Sequence, residues 1–153
     1  MTTYRRARPD DLDQLMHLAR EMHAETSFSS LSFNASKAAT EVMDCILNPN
    51  MFVCVAEKDG RILGLVAAFL SQPYFSDDTV VYDHIWYVSK DGRNGLAGPR
   101  LLNHVAEWAR LAGAKAVFVT LGSDVSKDRV GKLVERLGYR HLGGYYRKDI
   151  DGG

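Results

Sequence analysis

Apolar residues recur at helical spacing twice within the first third of the chain. Leu12, Leu15, Met16, Ala19 and Met22 mark one amphipathic helix. Ala39, Val42, Met43 and Ile46 mark a second, over residues 36–47, which Asn48-Pro49-Asn50 brings to an end. A short alternating run at residues 3–7 precedes them as a first strand, stopped by Pro9. Asp10, with Asp13 three residues on, reads as an N-cap followed by acid in the first turn. Residues 26–36 are rich in Ser but carry Phe28, Leu31 and Phe33, which predicts a packed loop between the helices.

The period then changes. Residues 51–57 and 62–70 are strand-like and are joined through Lys58-Asp59-Gly60-Arg61, where Asp-Gly signals a tight hairpin because both positions tolerate positive φ. Residues 79–88 form a third long strand after a loop at 73–78. A helix over 99–112, a strand over 116–120 and a helix over 127–137 closed by Gly138 follow, and 139–150 reads as a final extended segment. The order β-α-α-β-β-β-α-β-α-β combines hairpins with crossovers. It predicts an α/β (α+β) fold with one mixed, mostly antiparallel sheet flanked by helices. One domain over residues 1–150 and a tail at 151–153 are expected.

Charge narrows the partners. Lys plus Arg (19) equals Asp plus Glu (19), so no global field favours nucleic acid or an anionic membrane. No apolar run reaches ~18 residues, and the N-terminus lacks the apolar stretch of a signal peptide, so a cytoplasmic protein is expected. Cys45 and Cys54 fall in different predicted elements without zinc-type spacing. They read as free thiols, and no metal is expected.

Candidate chemistry concentrates between Tyr82 and Trp108. A buried-looking strand there ends in a turn with Gly92, Gly95 and Gly98, and a helix starts at Pro99, where the missing N–H costs nothing. A glycine-rich turn opening onto a helix N-terminus bares amide N–H groups, a ready site for a diphosphate, to which Arg93 can add a charge. No Gly-Lys-Ser/Thr ending follows, so the turn is not a P-loop.

Together with the element order, the segment Arg93-Asn94-Gly95-Leu96-Ala97-Gly98 resembles the Arg/Gln-x-x-Gly-x-Gly/Ala loop of the GCN5-related N-acetyltransferase superfamily. Arg93 and Gly98 match its ends, Leu101-Leu102 match its apolar pair, and Leu96 stands where the first Gly is usual. The resemblance implies acetyl-CoA as co-substrate, its diphosphate on the amides of residues 93–98 and its pantetheine along Trp86, Tyr87 and Val88. An N–H near Tyr87 or Val88 would polarise the thioester carbonyl. It implies His84 as general base, with Asp83 as rival. Strand alternation places Tyr82, His84 and Trp86 on one face and Asp83, Ile85 and Tyr87 on the other.

The family's usual acid, a Tyr, is replaced by Val134, which leaves Tyr145 or Tyr146 as proton donor, or release of the thiolate into solvent. Lys127 is a further candidate for the CoA phosphates. Phe28, Phe33, Tyr74 and Phe75 are candidates for the acceptor pocket, with Asp77 and Asp78 attracting an ammonium. The expected function is acetyl transfer to a small-molecule or peptide amine. The alternatives are a silent CoA-binding module and an enzyme using another acyl-CoA. The short closing segment also suggests a homodimer whose second copy completes the sheet edge.

Overall fold

The computed structural model describes residues 1–121 and 127–150. Its elements are β1 (Thr3–Arg6), α1 (Leu12–Glu25), α2 (Ala35–Leu47), β2 (Met51–Lys58), β3 (Arg61–Ser71), β4 (Val80–Val88), α3 (Ala97–Leu111), β5 (Val117–Phe118) and α4 (Lys127–Arg136). One sheet runs β1-β2-β3-β4-β5, antiparallel throughout except for the parallel pair β4 and β5. The β2–β3 hairpin turns at Asp59 (φ 52°) and Gly60 (φ 76°), both in the left-handed region that the Asp-Gly signal anticipates.

Helices cover both faces of the sheet, which is why β2 reads as a continuous apolar run from Phe52 to Ala56. Phe52, Cys54 and Ala56 pack with Leu101, Leu102 and Val105 of α3. On the opposite face Val55 meets Leu15 and Leu18 of α1, and Val53 meets Cys45 of α2. The buried positions of α3 (Ala97, Leu101, Leu102, Val105, Ala109) follow an i, i+4, i+5, i+8, i+12 pattern, giving one apolar stripe.

The acid at the entrance to α1 is Asp11, not Asp10. Its carboxylate accepts two bonds from Arg5 (2.8 and 2.9 Å) and one from the Arg8 N–H (2.7 Å), at 6% side-chain exposure. The hydrogen bonds from Arg5 outweigh the effect of burial and hold the carboxyl below its ordinary 3.8. Asp11→Ala is expected to lower stability by about 3 kcal/mol in urea unfolding, because Arg5 is left partly buried without its main counter-charge. A depressed carboxyl pKa stabilises above the unfolded value, so the wild type's advantage disappears as pH falls below 3.8 and the two proteins converge.

The closing strand is a correction. Residues 139–150 form no strand, and residues 140–150 are exposed throughout. An extended segment becomes a strand only when an edge satisfies its amides, and Gly143-Gly144 offers no side chain to pack. The segment is held instead through Arg147, which donates to the Ser27 carbonyl and to Ser30 Oγ (2.7 Å) in the 3-10 turn after α1. The loop between α1 and α2 is also less packed than expected, with Phe28 and Leu31 half exposed.

Candidate active site

Among the described residues, strands β4 and β5 pair only at Val81–Val117 and Tyr82–Phe118. Immediately beyond, Asp83 accepts the Thr120 N–H (3.1 Å) and its Oγ1–H (3.2 Å), ending the ladder while β4 continues. Among the described residues, β4 pairs with β3 alone from Ile85 to Val88. Its other edge borders a cavity of about 500 Å³, whose walls include Trp86 and Val88, Gly95 and Gly98 at the start of α3, and Val130 and Leu133 of α4.

A β-bulge reorders the faces of β4. Asp83 pairs with Ala68 and Ile85 with Ala67, so His84 is the extra residue, and alternation resets beyond it. Trp86 therefore lies with Asp83 on the side of α3 and α4, and His84 is on the side of α1 and α2. The expectation that His84 and Trp86 share a face is overturned for this reason. His84 Nε2 is 3.6 Å from Glu41 Oε1 of α2, and the imidazole meets the Phe69 ring edge-on at 6.4 Å. His84 still reaches the cavity wall, with a side chain 39% exposed. Asp83 also lines the cavity, but its carboxylate is committed to Thr120. Burial raises its pKa despite those hydrogen bonds.

Below the cavity mouth, the turn after β4 uses some of its amides and leaves others bare. Gly92 N–H bonds to the Ser89 carbonyl (2.9 Å) and Gly95 N–H to that of Gly92 (3.4 Å). Among the described residues, no acceptor lies on the N–H groups of Asn94, Leu96, Ala97 or Gly98. Leu96 has φ −100°, which any residue adopts, and its side chain points outward, so the missing glycine costs the turn nothing. Gly98 has a different constraint. Trp86 Nε1 donates to the Gly98 carbonyl (3.2 Å), and a Cβ on Gly98 would stand 3.4 Å from the indole. Trp86 thus anchors the start of α3 as well as walling the cavity.

Arg93 does not reach freely toward an anion. Its Nε donates to the Val88 carbonyl (2.9 Å), its guanidinium pairs with Glu25 and lies over the Tyr87 ring at 5.4 Å. Burial works against both charges, but their contact prevails: the Glu25 carboxyl is held below, and the Arg93 guanidinium above, its ordinary value. Tyr87 donates to Glu21 (2.9 Å), and burial together with Glu25 and Glu21 pushes its pKa well up. This network braces the turn against α1.

Other sequence candidates divide. Phe28 lines the cavity. Phe33 packs instead against Arg20 and His23. Tyr74 and Phe75 contact each other edge-to-face on an exposed loop with Asp77 and Asp78, away from the cavity. Tyr145 (76% exposed) and Tyr146 (101%) also stand outside it. Val134 is buried in the core. The Lys127 side chain lies outside the described residues. Sequence reasoning passed over Glu25, Thr120, Arg129 and Arg136, which all line the cavity. The two arginines are seven residues apart, a spacing that puts them on one face of α4 and was readable in advance.

The fold has counterparts among known proteins. Residues 12–139 match the model of the acetyltransferase (GNAT) family. The chain belongs to that family. An aminoglycoside acetyltransferase from an uncultured soil metagenomic sample, solved with trehalose, superposes with a TM-score of 0.75 at 17% identity, covering 98% of this chain and 97% of that one. AAC(6')-Iy, solved with the bisubstrate analogue CoA-S-monomethyl-acetylneamine, gives 0.75 at 15% identity, covering 98% and 99%. Glucosamine-6-phosphate N-acetyltransferase from Arabidopsis thaliana gives 0.75 at 12%, covering 99% of each. At these identities the likeness is one of fold. No curated protein sequence matches the chain significantly. Among the described residues, no helix of this GNAT family member is long and apolar enough to cross a membrane.

Proposed function

We propose that this GNAT family member transfers the acetyl group of acetyl-CoA to a primary amine by direct attack in a ternary complex. The observation that carries this reading is the set of unpartnered amides at Asn94, Leu96, Ala97 and Gly98 beside the cavity formed where β4 leaves β5. A diphosphate held at the N-terminus of α3 would let pantetheine run along the free edge of β4, pairing with the backbone at Trp86 and Val88. The Ser89 N–H bonds to Leu63 of β3, so alternation turns the Tyr87 N–H toward β3 as well, and the N–H at Val88 would face the thioester oxygen as negative charge develops on it.

His84 takes the proton of the attacking amine, directly or through a water. The tetrahedral intermediate collapses, the C–S bond breaks, and the CoA thiolate takes a proton from solvent. A tyrosine acid is not required by this scheme. Val134 is core, Tyr145 stands outside the cavity, and the Tyr87 hydroxyl holds its proton against Glu21. Arg129 and Arg136 offer cations on the α4 wall, where CoA phosphates or the departing thiolate can meet them. Asp83 serves as a positioning residue that takes the Thr120 donors in place of the β4 backbone and so ends the β4–β5 ladder. The acceptor is a small amine or a peptide amine, and a second copy of the chain is the partner proposed for the exposed apolar residues of segment 140–150.

Acetyl-CoA at 100 times its Kd is expected to stabilise the protein by about 2.7 kcal/mol, seen as a rise in melting temperature. Thiol release should follow with a member of an amine panel. Absence of any thermal shift at millimolar acetyl-CoA would refute the reading. Binding without turnover across the panel would favour the silent CoA-binding module, for which the buried Val134 and displaced Tyr145 already speak.

A further inference from the structure

The fold brings three metal-ligating side chains together that sequence spacing keeps apart. Glu41 and Cys45 are four residues apart on α2 and so share one face of that helix. The β4 bulge turns His84 toward the same face. Glu41 Oε1 lies 3.6 Å from His84 Nε2 and 3.9 Å from Cys45 Sγ, and one ligand atom from each residue fits within a 4.8 Å set. Bonds of about 2.0–2.3 Å around a tetrahedral Zn²⁺ would place such atoms about 3.3–3.7 Å apart, so the cluster needs only a small closure.

We propose that Glu41, Cys45 and His84 form a site for a divalent cation of the zinc class, with water completing the coordination. Carboxylate, thiolate and imidazole are the donor types that select zinc over magnesium or calcium. One carboxylate and one thiolate also neutralise the ion, which limits the electrostatic cost of a half-buried site. Binding forms the S–metal bond and releases the Cys45 thiol proton to solvent. The sulfur is buried among Val53, Ala67 and Ile85, an apolar backing that keeps water from competing for it. Glu41 (61% exposed) and His84 (39%) open the route by which the ion enters.

A cation here takes the one basic lone pair of the neutral imidazole assigned above to proton abstraction, so it blocks turnover. That consequence rests on the proposed base role of His84, whereas the site itself does not. The cation is thus an inhibitor read by the protein, not a cofactor for its reaction.

The test uses Co²⁺ as a spectroscopic probe on the full chain. One equivalent should give the visible bands of a four-coordinate ion and the near-ultraviolet thiolate-to-cobalt charge-transfer band, and Zn²⁺ should displace it. Cys45→Ser should abolish the charge-transfer band. Glu41→Gln, a surface change that spares the core, should weaken Co²⁺ at least about 10-fold, the lower bound for losing even an outer-shell partner. A missing charge-transfer band in the wild type, or Co²⁺ affinity unchanged in Glu41→Gln, overturns the site. The kinetic arm separates the two ideas. Stoichiometric Zn²⁺ should inhibit the wild type, a chelator should restore it, and Cys45→Ser should turn over with much weaker sensitivity. A cobalt thiolate band in a protein that Zn²⁺ leaves fully active upholds the site and removes His84 as the base.

Discussion

His84→Ala is expected to lower kcat/KM for amine acetylation about 100- to 10,000-fold, the range a general base contributes, and to leave acetyl-CoA binding by calorimetry unchanged. The separation follows from position. His84 stands on the α2 side of the β4 bulge, and the bare amides that would hold CoA lie beyond Val88 on the opposite side of Trp86. The imidazole is partly open to solvent, so added imidazole should restore part of the rate to the alanine variant. Full activity in His84→Ala would remove this residue from the chemistry. Asp83 would not inherit the role easily, because its carboxylate already accepts both Thr120 donors.

A second substitution should move affinity and stability in opposite directions. Leu96 is the N-cap residue of α3, makes no side-chain cap and is 61% exposed. Leu96→Asp puts a negative charge at the positive end of the helix, which should leave stability unchanged or raise it by about 0.3–1 kcal/mol. The same charge confronts the diphosphate and competes for the Ala97 and Gly98 amides. Two unit charges about 5 Å apart at an effective dielectric of about 20 repel by about 3 kcal/mol. Solvent at the exposed rim reduces this, leaving an expected loss of at least about 10-fold in acetyl-CoA affinity. Calorimetry and a urea melt on the same preparation check both signs. A protein that binds acetyl-CoA as tightly as before does not use these amides.

Much of the scaffold was legible in the amino-acid order because the signals are local. Helical spacing marks α1, α2 and α3, Asp59-Gly60 sets the hairpin, and the turn before Pro99 announces a helix start with spare donors. Those features depend on the period of burial and on backbone preferences that a few adjacent residues determine. The resemblance of residues 93–98 to the family loop survives the Leu96 exchange, since φ there is negative.

What only the tertiary structure decided depends on residues far apart in the chain. One added residue at His84 in the β4 ladder reversed the expected facing of Trp86, and no pattern of period two can reveal a bulge that exists only against β3. Arg93 was read as an anion ligand, yet Glu25, 68 residues away, claims its guanidinium. Residues 139–150 have the composition of a strand but find no edge to join, because strand formation requires a partner's amides as well as its own. Cys45 looked solitary by spacing, and the packing of α2 against β4 supplied its neighbours. Local order specified the elements and the spare amides, while long-range packing chose which side chains meet around them.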